Sequence, residues 1–113
     1  MKRKLFFCMS VLAISGCNSD GVQDKDLDEQ MLREALCIIA AERFQLYDEA
    51  EHHLQHGLEA GRRKAIRTGE PNEFREYIEL VKQYSSTFSK EDSARDLKEK
   101  CDRRLTMIEF SRV

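Results

Sequence analysis

All three histidines of the chain fall in one short segment, Glu51-His52-His53-Leu54-Gln55-His56. If this segment is helical, His52 and His56 stand one turn apart on a single face, with Glu49 and Glu59 close by on that face. Two imidazoles at i, i+4 beside a carboxylate form a spacing that Zn²⁺ or Cu²⁺ can use, so Glu49, His52 and His56 are the candidate metal ligands. The face that carries them lies opposite the apolar stripe of the helix. It should therefore be solvated and lack the neighbouring groups that orient metal ligands.

A second cluster, Arg62-Arg63-Lys64 with Arg67, lies near the end of the same helical pattern. Cations complement the negative end of a helix dipole, and a basic tip could also be offered to an acidic partner. For covalent catalysis the chain provides little. No Ser or Cys has a plausible His partner, no Gly-rich phosphate loop is present, and His52-x-x-x-His56 lacks the Glu and third ligand of the zinc-protease pattern. The expectation is a non-enzyme with no cofactor.

These residues must be carried by helices. With 113 residues, 41% hydrophobic and 35% charged, one Pro and no Trp, the chain holds one small domain, and its composition argues against a sandwich or barrel. From Leu27 onward, Leu32, Leu36, Ile39, Tyr47, Ala50, Leu54, Leu58, Gly61 and Ala65 fall on one helical stripe, which predicts a single amphipathic helix over 27–66. The run 35–41 (ALCIIAA) is apolar on nearly every side and should be its most buried part. Thr68-Gly69-Glu70-Pro71-Asn72 marks a turn. Phe74, Tyr77, Ile78, Val81, Tyr84 and Phe88 then share a face of a second helix, and Ser89-x-x-Asp92 reads as a capping box opening a third segment.

The N-terminus has a different character. Met1-Lys-Arg-Lys4 precedes the apolar run Leu5 to Ile14, which ends in Ser15-Gly16-Cys17. As a helix the run rises about 15 Å, half of a bilayer's hydrocarbon core, so it reads as a removable secretory signal and not a span. Ile14-Ser15-Gly16-Cys17 resembles the lipobox of bacterial lipoproteins. That resemblance implies cleavage of residues 1–16 and lipidation of Cys17, with Asn18 directing the product to the outer membrane, facing the periplasm. Acyl chains on Cys17 would be a sufficient anchor. Residues 17–26 would be the lipidated N-terminus and a flexible polar tether, and residues 27–113 the helical domain. Loss of Lys2, Arg3 and Lys4 with the signal leaves 16 basic against 21 acidic residues, net -5, a poor balance for binding nucleic acid.

Of four cysteines, Cys8 would leave with the signal and Cys17 would be acylated. In an oxidising compartment the remaining Cys37 and Cys101 are most simply a disulfide, the alternatives being two buried thiols or an intermolecular bridge. A straight first helix in an up-down-up three-helix bundle would hold this pair about 30 Å apart, beyond the reach of a disulfide. A long antiparallel helical hairpin about Gly69, with its second arm kinked near 85–89, sets them opposite each other. The hairpin is therefore the expected all-α fold, and the bundle is the alternative if the first helix breaks at Gly57 or Gly61. A two-helix hairpin would leave apolar surface at Ile38, Ala41 and Phe44, requiring an envelope protein, a second copy or a folded-back tether to cover it. The layout is similar to the small helical pilotins that escort secretin subunits, and equally to plasmid or phage exclusion and immunity lipoproteins. These resemblances imply a membrane-anchored assembly or interaction factor and carry no binding residues over.

Overall fold

The structure is a computed structural model that describes residues 8–113, with side chains from residue 24 onward. The expected signal segment 1–16 and the lipid acceptor Cys17 lie outside the residues whose side chains are described. The described chain is all-α, with helices α1 (Cys8–Arg43), α2 (Tyr47–Thr68), α3 (Phe74–Tyr84), α4 (Lys90–Lys100) and the single turn α5 (Met107–Phe110).

The continuous helix expected over 27–66 does not form, because the chain reverses at Phe44–Leu46. Gln45 takes the left-handed conformation with φ 62°. The Leu46 N–H donates to Ala41 O at 2.9 Å and the Gln45 N–H to Glu42 O at 3.0 Å, the paired bonds of a Schellman ending. Phe44 and Leu46, on either side of Gln45, are both buried. The hairpin of this fold is therefore α1 with α2, turned at residue 45 and not at Gly69. Lys64 Nζ reaches Asp28 Oδ1 at 2.7 Å and His53 Nδ1 lies 2.6 Å from Glu34 Oε1, so α2 descends as α1 climbs.

This reversal decides the burial pattern. Leu27, Met31, Ala35, Ile38 and Ala41 of α1 recur at helical spacing and are buried together with Ala50 and Ala60 of α2. The run 35–41 is the heavily buried stretch expected, with Leu36 and Ile39 only half-buried. The segment expected as a tether, 17–26, is α1 backbone, and Asp24 Oδ1 meets Arg67 Nη1 at 2.9 Å.

Gly69, at φ 78°, closes α2 by donating its N–H to Ala65 O at 2.8 Å. The chain then folds α3 back across both α1 and α2. Two glycines of α2 admit this third helix. A Cβ at Gly57 would lie 1.9 Å from Phe74 Cζ, and one at Gly61 would lie 2.0 Å from Asn72 Oδ1. Gly61 thus admits Asn72, whose Nδ2 donates to Leu58 O at 3.0 Å. Tyr77 donates its hydroxyl to Asp28 Oδ1 at 3.0 Å. Its own acidity is suppressed to about 12, by burial first and by Asp28 second.

Ser89 and Asp92 form the expected capping box, each side chain meeting the other's backbone N–H at 3.1 Å. α4 crosses α1, which brings Cys101 to Cys37 with a Cα–Cα distance of 5.8 Å, and the two are joined by a disulfide. Arg43 Nη1 ties down the preceding loop, donating to Phe88 O at 2.7 Å and Ser93 Oγ at 3.0 Å. The architecture is an up-down-up arrangement of α1, α2 and α3, with α4 crossing back over α1.

Gly57→Ala separates packing from propensity. Alanine in a helix interior is worth roughly 0.5–1 kcal/mol over glycine, whereas overpacking costs typically 1–3 kcal/mol. The Phe74 ring leaves no room for the added methyl, so the variant should unfold at lower urea concentration than the parent. A raised midpoint would mean that α3 does not sit on α2 in this way.

Candidate functional site

Two features of the described surface are candidates for chemistry or recognition. The first is an open groove of about 950 Å³, with Leu32 and Leu36 of α1 as its floor, Leu80 and Tyr84 of α3 as one wall and Phe88 at its end. It exists because α3 and α4 diverge from the loop 85–89 while both pack on α1. Leu32, Leu80 and Tyr84 remain 47%, 59% and 70% exposed, an apolar strip open to solvent. Tyr84 and Phe88 meet edge to face with ring centroids 5.4 Å apart. The rim carries both signs of charge, from Glu29 and Arg33 on α1 to Arg95, Asp96, Glu99 and Lys100 on α4. Burial raises the Asp96 carboxyl above its usual range, against the nearby Lys100 and Arg95, which lower it.

The second feature joins α1 to α2. Glu34 is 7% exposed, and its hydrogen-bond partner is His53. His53 and the exposed His56 stand one turn apart on α2. Ligand atoms of Glu34, His53 and His56 all lie within 4.8 Å of one another.

Of the candidate ligands expected from sequence, Glu49, His52 and His56, the fold brings His56 together with Glu34 and His53. Glu49 accepts a hydrogen bond from Arg103 Nε, and His52 is exposed. With α2 folded onto α1, it is His53 that faces the neighbouring helix, and Glu34, far off in sequence, supplies the carboxylate. A polar residue at position 34, inside the apolar periodicity of α1, was the sequence signal for it.

Ile38, Ala41 and Phe44, expected as a partner surface, are interior residues at 5%, 0% and 0% exposure. The turn at residue 45 covers them from within the same chain, and Phe110 stacks on Phe44 at 6.0 Å between centroids. Exposed apolar side chains lie instead at Leu32 and Tyr84, members of the stripes read from sequence, and at Leu80, which those stripes did not include.

The basic cluster is not a distant hairpin tip. Lys64 binds Asp28 and Glu73, which hold its ammonium well above the usual lysine range, Asp28 contributing most. Arg62 pairs with Glu59 at 2.7 Å, Arg67 pairs with Asp24, and Arg63 is exposed. These residues lie beside the early, described turns of α1. Among the described residues, no helix is long and apolar enough to cross a membrane. No known protein family, no curated protein and no solved structure matches this chain.

Near the turn at residue 45, Arg103 forms a fork with Glu109 at 2.8 and 2.7 Å as well as its bond to Glu49. Glu109 also closes a second capping box with Thr106, which sequence reading did not identify. Arg103, and then the Thr106 N–H, hold the Glu109 carboxyl down to about 2, from an ordinary value of 4.5. A depressed carboxylate stabilises the fold in full above its unfolded value, and that contribution is lost as pH falls toward 2. Glu109→Gln should therefore melt below the parent at pH 6, and the gap should close between pH 5 and pH 2 in thermal melts followed by circular dichroism. A gap of the same size at every pH would mean that the ionised Glu109 carboxylate is not its source.

Proposed function

We propose that the chain is a lipid-anchored envelope protein that acts without catalysis, docking an amphipathic helical segment of another envelope protein into the groove between α3 and α4. In this reading Cys17 carries the acyl anchor, the protein faces the periplasm from the outer membrane, and its role is that of an assembly or interaction factor of the pilotin type. Action as an exclusion or immunity lipoprotein would use the same groove.

The observation that supports docking is the solvent-open strip of Leu32, Leu80 and Tyr84 in a groove already lined by helices. A folded monomer gains nothing from holding large apolar side chains in water, and contiguous strips of this kind mark interaction sites. An amphipathic helix suits the shape, since its apolar face presents anchors at i, i+3 and i+4 to a groove floor while its polar face remains in water. The mixed charges of the rim can then set register and direction. The lipobox-like Ile14-Ser15-Gly16-Cys17 supports the anchor, because acyl chains on one cysteine hold a small domain at a bilayer without a spanning helix.

Cells making Cys17→Ser should fail to incorporate labelled palmitate into the chain, and the protein should leave the outer-membrane fraction. A photoreactive residue replacing Tyr84 should give one discrete adduct with an envelope protein. Leu80→Asp should remove that adduct while shifting unfolding by no more than about 0.5 kcal/mol, as expected for an exposed position. Acylation that persists in Cys17→Ser would overturn the anchor. An adduct of twice the chain's own mass would make the groove a contact between copies.

A further inference from the structure

We infer that Glu34, His53 and His56 form a binding site for one divalent transition metal ion of the zinc and copper class, clamping α1 to α2. The inference is independent of the membrane anchor and of the groove, and it rests on three observations.

The first is ligand type. Two imidazoles and a carboxylate are the donors that zinc and copper take up, and a set with three protein ligands leaves a coordination position for water. The second is geometry. The ligand atoms lie within 4.8 Å of one another, and in a tetrahedral centre with bonds near 2.0–2.1 Å neighbouring ligands stand about 3.3 Å apart. Glu34 and His53 share a hydrogen bond at 2.6 Å, so an ion would displace the shared proton to solvent and part the two atoms by about 0.7 Å, while His56, an exposed side chain, swings in to close the set.

The third is the position of Glu34. It is a carboxylate among the buried residues of the α1–α2 interface, paired with an imidazole and not with an arginine or lysine. A buried carboxylate is costly unless a cation or hydrogen bonds compensate it; Glu34 has the one hydrogen bond to His53, and an ion held between it and two imidazoles would supply the positive charge. The surroundings add rigidity. Ala60 of α2 is fully buried, and Glu34 and His53 lie on opposite arms of the reversal at residue 45. An ion at this place therefore holds the hairpin closed.

The test is calorimetric titration of the untagged full-length chain in detergent with zinc chloride alone, repeated with copper sulfate. The expected result is one ion per chain. His56→Ala and Glu34→Gln should each weaken binding by about tenfold or more, while His52→Ala and Glu49→Gln should leave it within about twofold. Because ions bind only the folded hairpin, a hundredfold excess over Kd should raise the melting temperature of the parent by roughly 10 °C and leave that of His56→Ala nearly unmoved. His56 is exposed and outside the Glu34–His53 contact, so its variant tests the site even if changes at Glu34 or His53 disturb folding. Less than half an ion per chain, equal losses from His52→Ala and His56→Ala, or a zinc-induced shift that survives in His56→Ala would overturn the site.

Discussion

A glutamine held at φ 62° costs about 1–2 kcal/mol relative to a glycine, because its Cβ crowds the backbone in the left-handed region. The chain accepts that cost at Gln45 because the residues on either side gain more. Fully burying Phe44 is worth roughly 1.5–3 kcal/mol, and Leu46, 6% exposed, adds a similar amount. The two Schellman hydrogen bonds satisfy carbonyls that the helix end would otherwise leave open. Reversal at this position brings α2 onto Ile38 and Ala41, sets His53 against Glu34 and leaves α1 as the helix on which α3 and α4 also pack.

The same residues explain what could be read from sequence and what could not. Helix ends with strong local chemistry were legible: Gly69 stops α2, and Ser89 with Asp92 starts α4. So was the all-α class, which the charged, proline-poor composition already favoured. The reversal was not legible. It contains no glycine or proline, and the apolar spacing from Leu36 to Leu54 runs through it almost unbroken. Gly57 and Gly61 drew attention as possible breaks, yet they lie inside α2 and serve as the clearance for Phe74 and Asn72. Periodicity reports which side of a helix is apolar, and it does not report whether the neighbour covering that side is near or far in sequence.

Misplacing one turn propagated directly into the site. A hairpin about Gly69 would have faced Cys37 with Cys101, and these residues are indeed bonded, but they meet because α4 crosses α1. A pairing constraint of this kind fixes one distance and leaves the path of the intervening chain open. The sequence separation is 64 residues, and in the chain-entropy account closing a loop of that length stabilises the fold by roughly 4 kcal/mol. The histidines show the same dependence. His56 was identified by type and spacing, but its partners changed from Glu49 and His52 to Glu34 and His53 once the face of α2 turned toward α1 was known.

The polar contacts divide the work differently from the apolar ones. Most ion pairs here are partly exposed, and such pairs contribute little stability individually. Their placement matters more than their strength. Asp28 receives Lys64 from α2 and Tyr77 from α3, so one carboxylate sets the height of two helices against α1. Arg43 holds the loop from which α3 and α4 diverge, and Arg103 joins α2 to the segment after α4 through Glu49. Together with the disulfide these ties fix the angle between the groove walls. In the proposed docking, a groove fixed before its occupant arrives would spare the complex the entropy of ordering it, a saving that increases affinity without requiring more contact area.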